Sequence, residues 1–194
     1  FDGIVLAIPS EPEDDPLEKE FSSLCRIYRG SLRDVLDRFH GAAVAAKAEV
    51  VVRVTGDNPI LDPGVMDAAV EGFFKLNIDY ANTANCPIGI GAEVFSVAAL
   101  SRAHREATET YQREHVTPYL YESPGRFKTS SVDVGPHLNG LPKDKVRLTV
   151  DTPEDLELIR DIYSRLLKIN PCFGLKEIAE LYRREPELFS RNLH

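Results

Sequence analysis

Two aspartates stand directly after apolar runs that read as buried strands. Asp57 follows Val50-Val51-Val52-Arg53-Val54-Thr55-Gly56, and Asp151 follows Val146-Arg147-Leu148-Thr149-Val150. The C-terminal edge of an open α/β sheet is where such folds bind ligands. In both places another residue is suited to cap the helix that follows: Asp62 before Pro63, and Thr152 before Pro153 with Asp155 three residues on. Capping therefore accounts for Asp62 and Thr152 and leaves Asp57 and Asp151 without a structural task. If the two strands are neighbours in a parallel sheet, the carboxylates converge. One or two carboxylates completed by phosphates and water is the usual way to hold Mg2+. An Asx turn at each strand end accounts for the same residues, and both readings stand.

Arg53 interrupts the first of these apolar runs, so its guanidinium needs a partner or must reach the sheet edge. A structural ion pair and a substrate contact are the two ways to satisfy it. Gly89-Ile90-Gly91 resembles a phosphate loop only superficially, because Val94 stands where a third small residue is required. Glycines that make a tight loop are the better reading, and such loops often carry substrate contacts.

These side chains need a scaffold, and the hydrophobic pattern supplies one. Segments 3–8, 26–29 and 50–55 read as strands. Helices alternate with them: one from the Asp15 N-cap to about residue 24; one capped by Ser31, with Leu32, Val35, Leu36, Phe39 and Ala43 on its apolar face; and one opened by Asp62-Pro63, with a stripe of Met66, Ala69, Val70, Phe73 and Phe74. That order predicts parallel strands joined by right-handed crossovers. Further strands are expected near residues 80–81, 93–96, 127–134 and 146–150. Helices are expected over about 97–108, over 111–122 with a break or kink at Pro118, from Thr152 to about 166, and over about 175–184. No linker, internal repeat or low-complexity run divides the 194 residues, so one domain is expected.

Composition sets limits on function. A net charge of −8 argues against a generic nucleic-acid surface, which needs a basic stripe. No apolar run approaches the ~20 residues that cross a bilayer, so no membrane partner is expected. Cys25, Cys86 and Cys172 are odd in number and widely spaced, which fits reduced thiols and a cytoplasmic setting.

Four motifs occur in order: Arg53-Val54-Thr55-Gly56-Asp57-Asn58-Pro59, Ala92-Glu93-Val94-Phe95-Ser96, Arg113-Glu114-His115-Val116-Thr117-Pro118-Tyr119, and Arg147-Leu148-Thr149-Val150-Asp151-Thr152-Pro153-Glu154-Asp155. Together they resemble the cytidylyltransferase family of the spore coat polysaccharide biosynthesis proteins, related to the acylneuraminate and deoxy-octulosonate cytidylyltransferases. The resemblance implies a three-layer, mostly parallel α/β sheet of the nucleotide-diphospho-sugar transferase, Rossmann-like type. It also implies a homodimer and transfer of CMP from CTP to a sugar. Asp57 and Asp151 match the family's two metal-binding aspartates. Arg53, Glu93 and His115 become substrate-binding candidates, Glu93 for sugar hydroxyls and His115 near the sugar site.

The chain departs from that family at its start. Members open on a strand and a glycine-rich basic loop that wraps the nucleotide, whereas this sequence opens on what resembles their second strand. The expectation is an N-terminally incomplete domain, a fragment of a longer protein. Two other functions remain open. A nucleotide-sugar-dependent glycosyltransferase shares the fold class but normally shows Asp-x-Asp, which this sequence lacks. A non-catalytic binding or scaffolding subunit would have no use for the nucleotide loop.

Overall fold

The computed structural model describes residues 1–192. In chain order the strands and α-helices are β1 (Val5–Pro9), α1 (Asp15–Phe21), β2 (Arg26–Gly30), α2 (Val35–Ala46), β3 (Val50–Arg53), α3 (Pro63–Leu76), β4 (Tyr80–Ala84), β5 (Glu93–Ser96), α4 (Val97–Glu106), α5 (Thr110–His115), α6 (Pro118–Tyr121), β6 (Thr129–Asp133), α7 (Pro153–Leu166), α8 (Leu175–Arg184) and α9 (Pro186–Phe189). The expected α/β class is observed. The residues cluster into two compact units, each discontinuous in sequence: residues 1–51 with 95–129, and residues 52–94 with 130–194.

The first unit holds β1 and β2, which pair in parallel with Val5 opposite Arg26 and Pro9 opposite Gly30. Helix α2 packs on both strands and on α4 and α5. Gly41 makes the approach of α2 to β2 possible, because a Cβ there would sit 1.9 Å from the Tyr28 hydroxyl oxygen. Two helix starts differ from expectation. Asp15 does not cap α1, and its carboxylate instead accepts from Arg29 Nη1 at 2.8 Å. Helix α2 begins at Val35 with Asp34 as N-cap, while Ser31 Oγ accepts the Asp34 amide at 3.0 Å and Leu32 lies exposed outside the helix. The helical segment expected over 111–122 is divided into α5 and α6, with the break immediately before Pro118 as expected. They are separated by Val116, whose φ of 74° no helix accommodates.

The second unit carries the sheet of order β3-β5-β4-β6, with β3, β5 and β6 containing the boundary residues. Its core joins Ile60, Val65, Ile90, Leu148, Ile162 and Ile178 among others. The segment 146–150 is not a strand. It makes one parallel bridge, Arg147 with Ile88, and otherwise bonds to loops, Leu148 N to Ile88 O at 2.8 Å and Val150 N to Asp57 O at 2.8 Å. Apolar and β-branched residues make it extended, but its partners are not strands. The stripe expected on α3 holds at Ala69 and Phe73, whereas Phe74 is exposed. The capping box is as expected: Thr152 Oγ1 accepts from Asp155 N at 3.3 Å, and Asp155 Oδ2 accepts from Thr152 N at 2.9 Å.

Candidate functional site

In the second unit, β3 ends at Arg53 and the chain turns through Thr55 to Asn58, with Asn58 N bonded to Thr55 O at 3.1 Å and Asn58 Nδ2 to Thr55 Oγ1 at 3.0 Å. Asp57 sits in this turn with its side chain exposed and no hydrogen-bond partner for its carboxylate among the described residues. Its carbonyl oxygen accepts both Val150 N at 2.8 Å and Thr149 Oγ1 at 3.3 Å. The backbone of Asp57 is thereby fastened to the two residues that precede Asp151.

Asp151 is exposed as well, and its carboxylate pairs with Arg147 Nη2. The caps of the two following helices come from elsewhere: Asp62 Oδ1 accepts Gly64 N at 2.9 Å, and the Thr152–Asp155 box serves α7. Behind Asp151 lies a buried network. Asp155 is fully buried and accepts Asp151 N at 3.0 Å, Thr152 N at 2.9 Å and Asn192 Nδ2 at 2.7 Å, with Arg147 Nε 3.4 Å away. Burial pushes the Asp155 carboxyl upward, but the bonds from Asn192, Asp151 and Thr152 outweigh it and hold the group at about 2. Arg147 thus links a buried anion to the exposed Asp151 carboxylate.

Arg53 and Glu93, 40 residues apart, come together as an ion pair on the adjacent strands β3 and β5. Tyr80 on β4 donates its hydroxyl to the other Glu93 oxygen at 2.6 Å. The demand made by a cation within an apolar strand is met by this partner.

Among the described residues no group of three or more His, Cys, Asp and Glu side chains is arranged to hold a metal ion. What the second unit offers is two carboxylates on backbones tied together, neither of them used as a cap. Carboxylate oxygens are donors of the kind Mg2+ takes, one or two of them at a time.

In the first unit, the C-terminal ends of β1 and β2 border a cleft of about 530 Å³ lined by Ser10, Glu11, Gly30, Ser31, Leu32 and Arg33. Ser10 N and Ser10 Oγ both donate to Gly30 O, at 2.9 and 3.1 Å, which fixes the strand ends against each other. His115 lies exposed at the end of α5, and no described side chain orients its ring. Within the same motif it is Arg113 that is engaged, with Nε and Nη2 donating to Asp34 Oδ2 at 2.9 and 2.6 Å. Sequence reasoning missed both Arg113 and Asp34. The available signal was that Arg113 lies in a quoted motif and that Asp34 is a cap-type residue directly before an apolar helix face.

Residues 1–185 match the family model for cytidylyltransferases. The spore coat polysaccharide biosynthesis protein SpsF of Bacillus subtilis (strain 168) is 34% identical over 188 residues, covering 96% of this chain and 77% of that protein. An uncharacterized protein of Methanocaldococcus jannaschii, MJ1063, is 36% identical over 193 residues, covering 99% of this chain and 77% of that protein. The solved structure of a cytidylyltransferase from Leptospira borgpetersenii serovar Hardjo-bovis superposes with a TM-score of 0.85 at 27% identity, covering 97% of this chain and 78% of that one. No helix among the described residues is long and apolar enough to cross a membrane.

Proposed function

The chain belongs to the cytidylyltransferase family, and we propose that it transfers CMP from CTP to a sugar in polysaccharide biosynthesis. A sugar hydroxyl oxygen attacks the α-phosphorus, the bond from that phosphorus to the bridging oxygen breaks, pyrophosphate leaves, and the hydroxyl proton passes to water. The observation that carries this reading is the pair of bonds from Val150 N and Thr149 Oγ1 to the Asp57 carbonyl, which holds two cap-free carboxylates on joined backbones.

Asp57 and Asp151 would hold Mg2+. An ion held by these carboxylates would supply positive charge to offset that of the phosphates and of the departing pyrophosphate. Arg147 orients the Asp151 carboxylate and is itself anchored by Asp155. Arg53 and Tyr80 fix the rotamer of Glu93, the candidate for contacts to sugar hydroxyls. The reading assigns nucleotide binding to the cleft of the first unit at the ends of the parallel strands β1 and β2, the usual ligand edge of such sheets. His115 receives no chemical step. A cytoplasmic homodimer is the expected working form.

The test is pyrophosphate release by the full-length protein with CTP, Mg2+ and a panel of sugars. Turnover with CTP and with no other nucleoside triphosphate supports the reading. Failure to bind CTP would return the chain to the non-catalytic binding class.

A further inference from the structure

We propose that Arg113 is a positioning residue for the nucleotide cleft, acting through Asp34 on the turn at residues 31–33. The inference rests on the assignment of the cleft to the nucleotide. Ser31, Leu32 and Arg33 form one wall of the cleft, and all three are exposed, so no packing fixes them. The turn is held at its ends. Ser31 Oγ accepts the Asp34 amide at 3.0 Å, and Ser31 O accepts Arg38 Nη1. Asp34 is the junction, because its Oδ1 also caps α2 through Asp37 N at 2.9 Å while its Oδ2 takes two bonds from Arg113. The wall of the cleft therefore sits where the Asp34 carboxylate sits.

Arg113 is fixed in turn. Its Nη1 donates to His104 O at 2.6 Å and to Ala107 O at 3.4 Å, carbonyls at the C-terminal end of α4 that no further helical turn could satisfy. Burial works against the Asp34 anion, yet the Arg113 bonds and the Asp37 amide hold its carboxyl below the ordinary value. The backbone after Arg113 is strained to achieve this placement. Val116 is fully buried with φ 74° and ψ −56°, and Thr117 N bonds back to His115 O at 2.9 Å. This is a γ-turn of the rare hand on a β-branched residue. Such strain persists where the surroundings demand one geometry. Here it ends α5 within a turn of Arg113 and keeps the guanidinium between α2 and α4.

The experiment is steady-state pyrophosphate release by the full-length protein with CTP varied, comparing Arg113→Met, Asp34→Asn and the double variant. Asn is as good an N-cap as Asp, so Asp34→Asn keeps the cap and loses the ion pair. Each single substitution should raise KM for CTP about tenfold with kcat changed less than about threefold, and the double should be no worse than either single. Arg113→Lys should fall between, since an ammonium cannot reproduce the fork. Unmoved KM values in the variants, or effects that multiply in the double, would overturn the link. If Arg113→Met does not fold, Asp34→Asn and Arg113→Lys decide the matter by the same criterion. A wild-type protein that neither binds CTP nor releases pyrophosphate sinks the functional reading and this link together. Active wild type with unaffected variants sinks the link alone.

Discussion

Val150 donates its amide to the carbonyl of Asp57 at 2.8 Å, so the residue before one candidate carboxylate is bonded to the backbone of the other. Neither side chain has a structural duty that would make it costly to change. Asp57→Asn and Asp151→Asn should each lower kcat/KM for CTP by on the order of a hundredfold or more. Asp57→Asn should leave stability within about 0.5 kcal/mol of wild type, because its carboxylate is exposed and unbonded. Asp151→Asn gives up an exposed pair with Arg147 and should cost at most about 1 kcal/mol. Pyrophosphate assays and denaturant melts on the same preparations separate the two effects. Near-native turnover in either variant would remove the metal clamp from the proposal.

Asp155 should behave in the opposite way, as a stability residue. Asp155→Ala removes the capping box, leaves Asn192 Nδ2 only its 3.2 Å bond to Arg147 O and takes from Arg147 its buried counter-charge. The loss should be about 3–5 kcal/mol by urea denaturation. Its acid dependence has a definite sign. The folded carboxyl stands at about 2 against an ordinary 3.8, so the unfolded chain binds the proton first as pH falls. The stabilisation is complete above about 3.8 and disappears as pH falls toward 2. Equal acid slopes for wild type and Asp155→Asn in that window would contradict the assignment.

The caps beside the two candidate carboxylates were legible from sequence, because Asp62 and Thr152 stand directly before Pro63 and Pro153. The pairing of Arg53 with Glu93 was not, since the strands that align them are 40 residues apart and only sheet order brings β3 beside β5. Arg113 escaped notice for the same reason, with Asp34 lying 79 residues upstream. Ser31 and Asp34 are both good caps three residues apart, and local chemistry alone does not choose between them. Segment 146–150 has strand composition, yet composition does not reveal that its neighbours are the loops at Asp57 and Ile88. Local rules set the elements and their ends, while the choice among equivalent partners is made by tertiary packing.

His40 and His104 stack with ring centroids 4.3 Å apart on α2 and α4, and His40 Nε2 lies 3.1 Å from Ser101 Oγ. Burial, then the neighbouring His104 and Arg105, push the His40 ring below its ordinary 6.5, while Asp37, which contacts His104 Nε2 at 2.8 Å, opposes them. The folded state therefore prefers the neutral ring. Stability from this site is present above about 6.5 and declines as pH drops below it, because the unfolded chain takes up the proton first. Melting temperatures measured from pH 7.5 down to 5 should fall for wild type and fall less for His40→Gln. Superimposable curves would rule out a contribution from the ring.

Gly89 tests whether the Asp57–Asp151 geometry depends on the neighbouring loop. Its φ is 96°, and a Cβ there would stand 2.2 Å from Thr149 N and 2.3 Å from Leu148 C. Both clashing atoms are backbone, so no rotamer change relieves them. Gly89→Ala must push the loop away from residues 148–149 or break the bond from Leu148 N to Ile88 O. A positive φ alone costs alanine roughly 1–2 kcal/mol, and the clash adds to it, so a total loss above about 3 kcal/mol is expected. Activity should fall further than stability does. The displaced backbone leads through Thr149 and Val150, the two donors to the Asp57 carbonyl, into Asp151. At a temperature where the variant remains folded by circular dichroism, kcat should therefore drop on the order of tenfold or more. Full turnover in folded Gly89→Ala would show that the loop can move without disturbing the carboxylates.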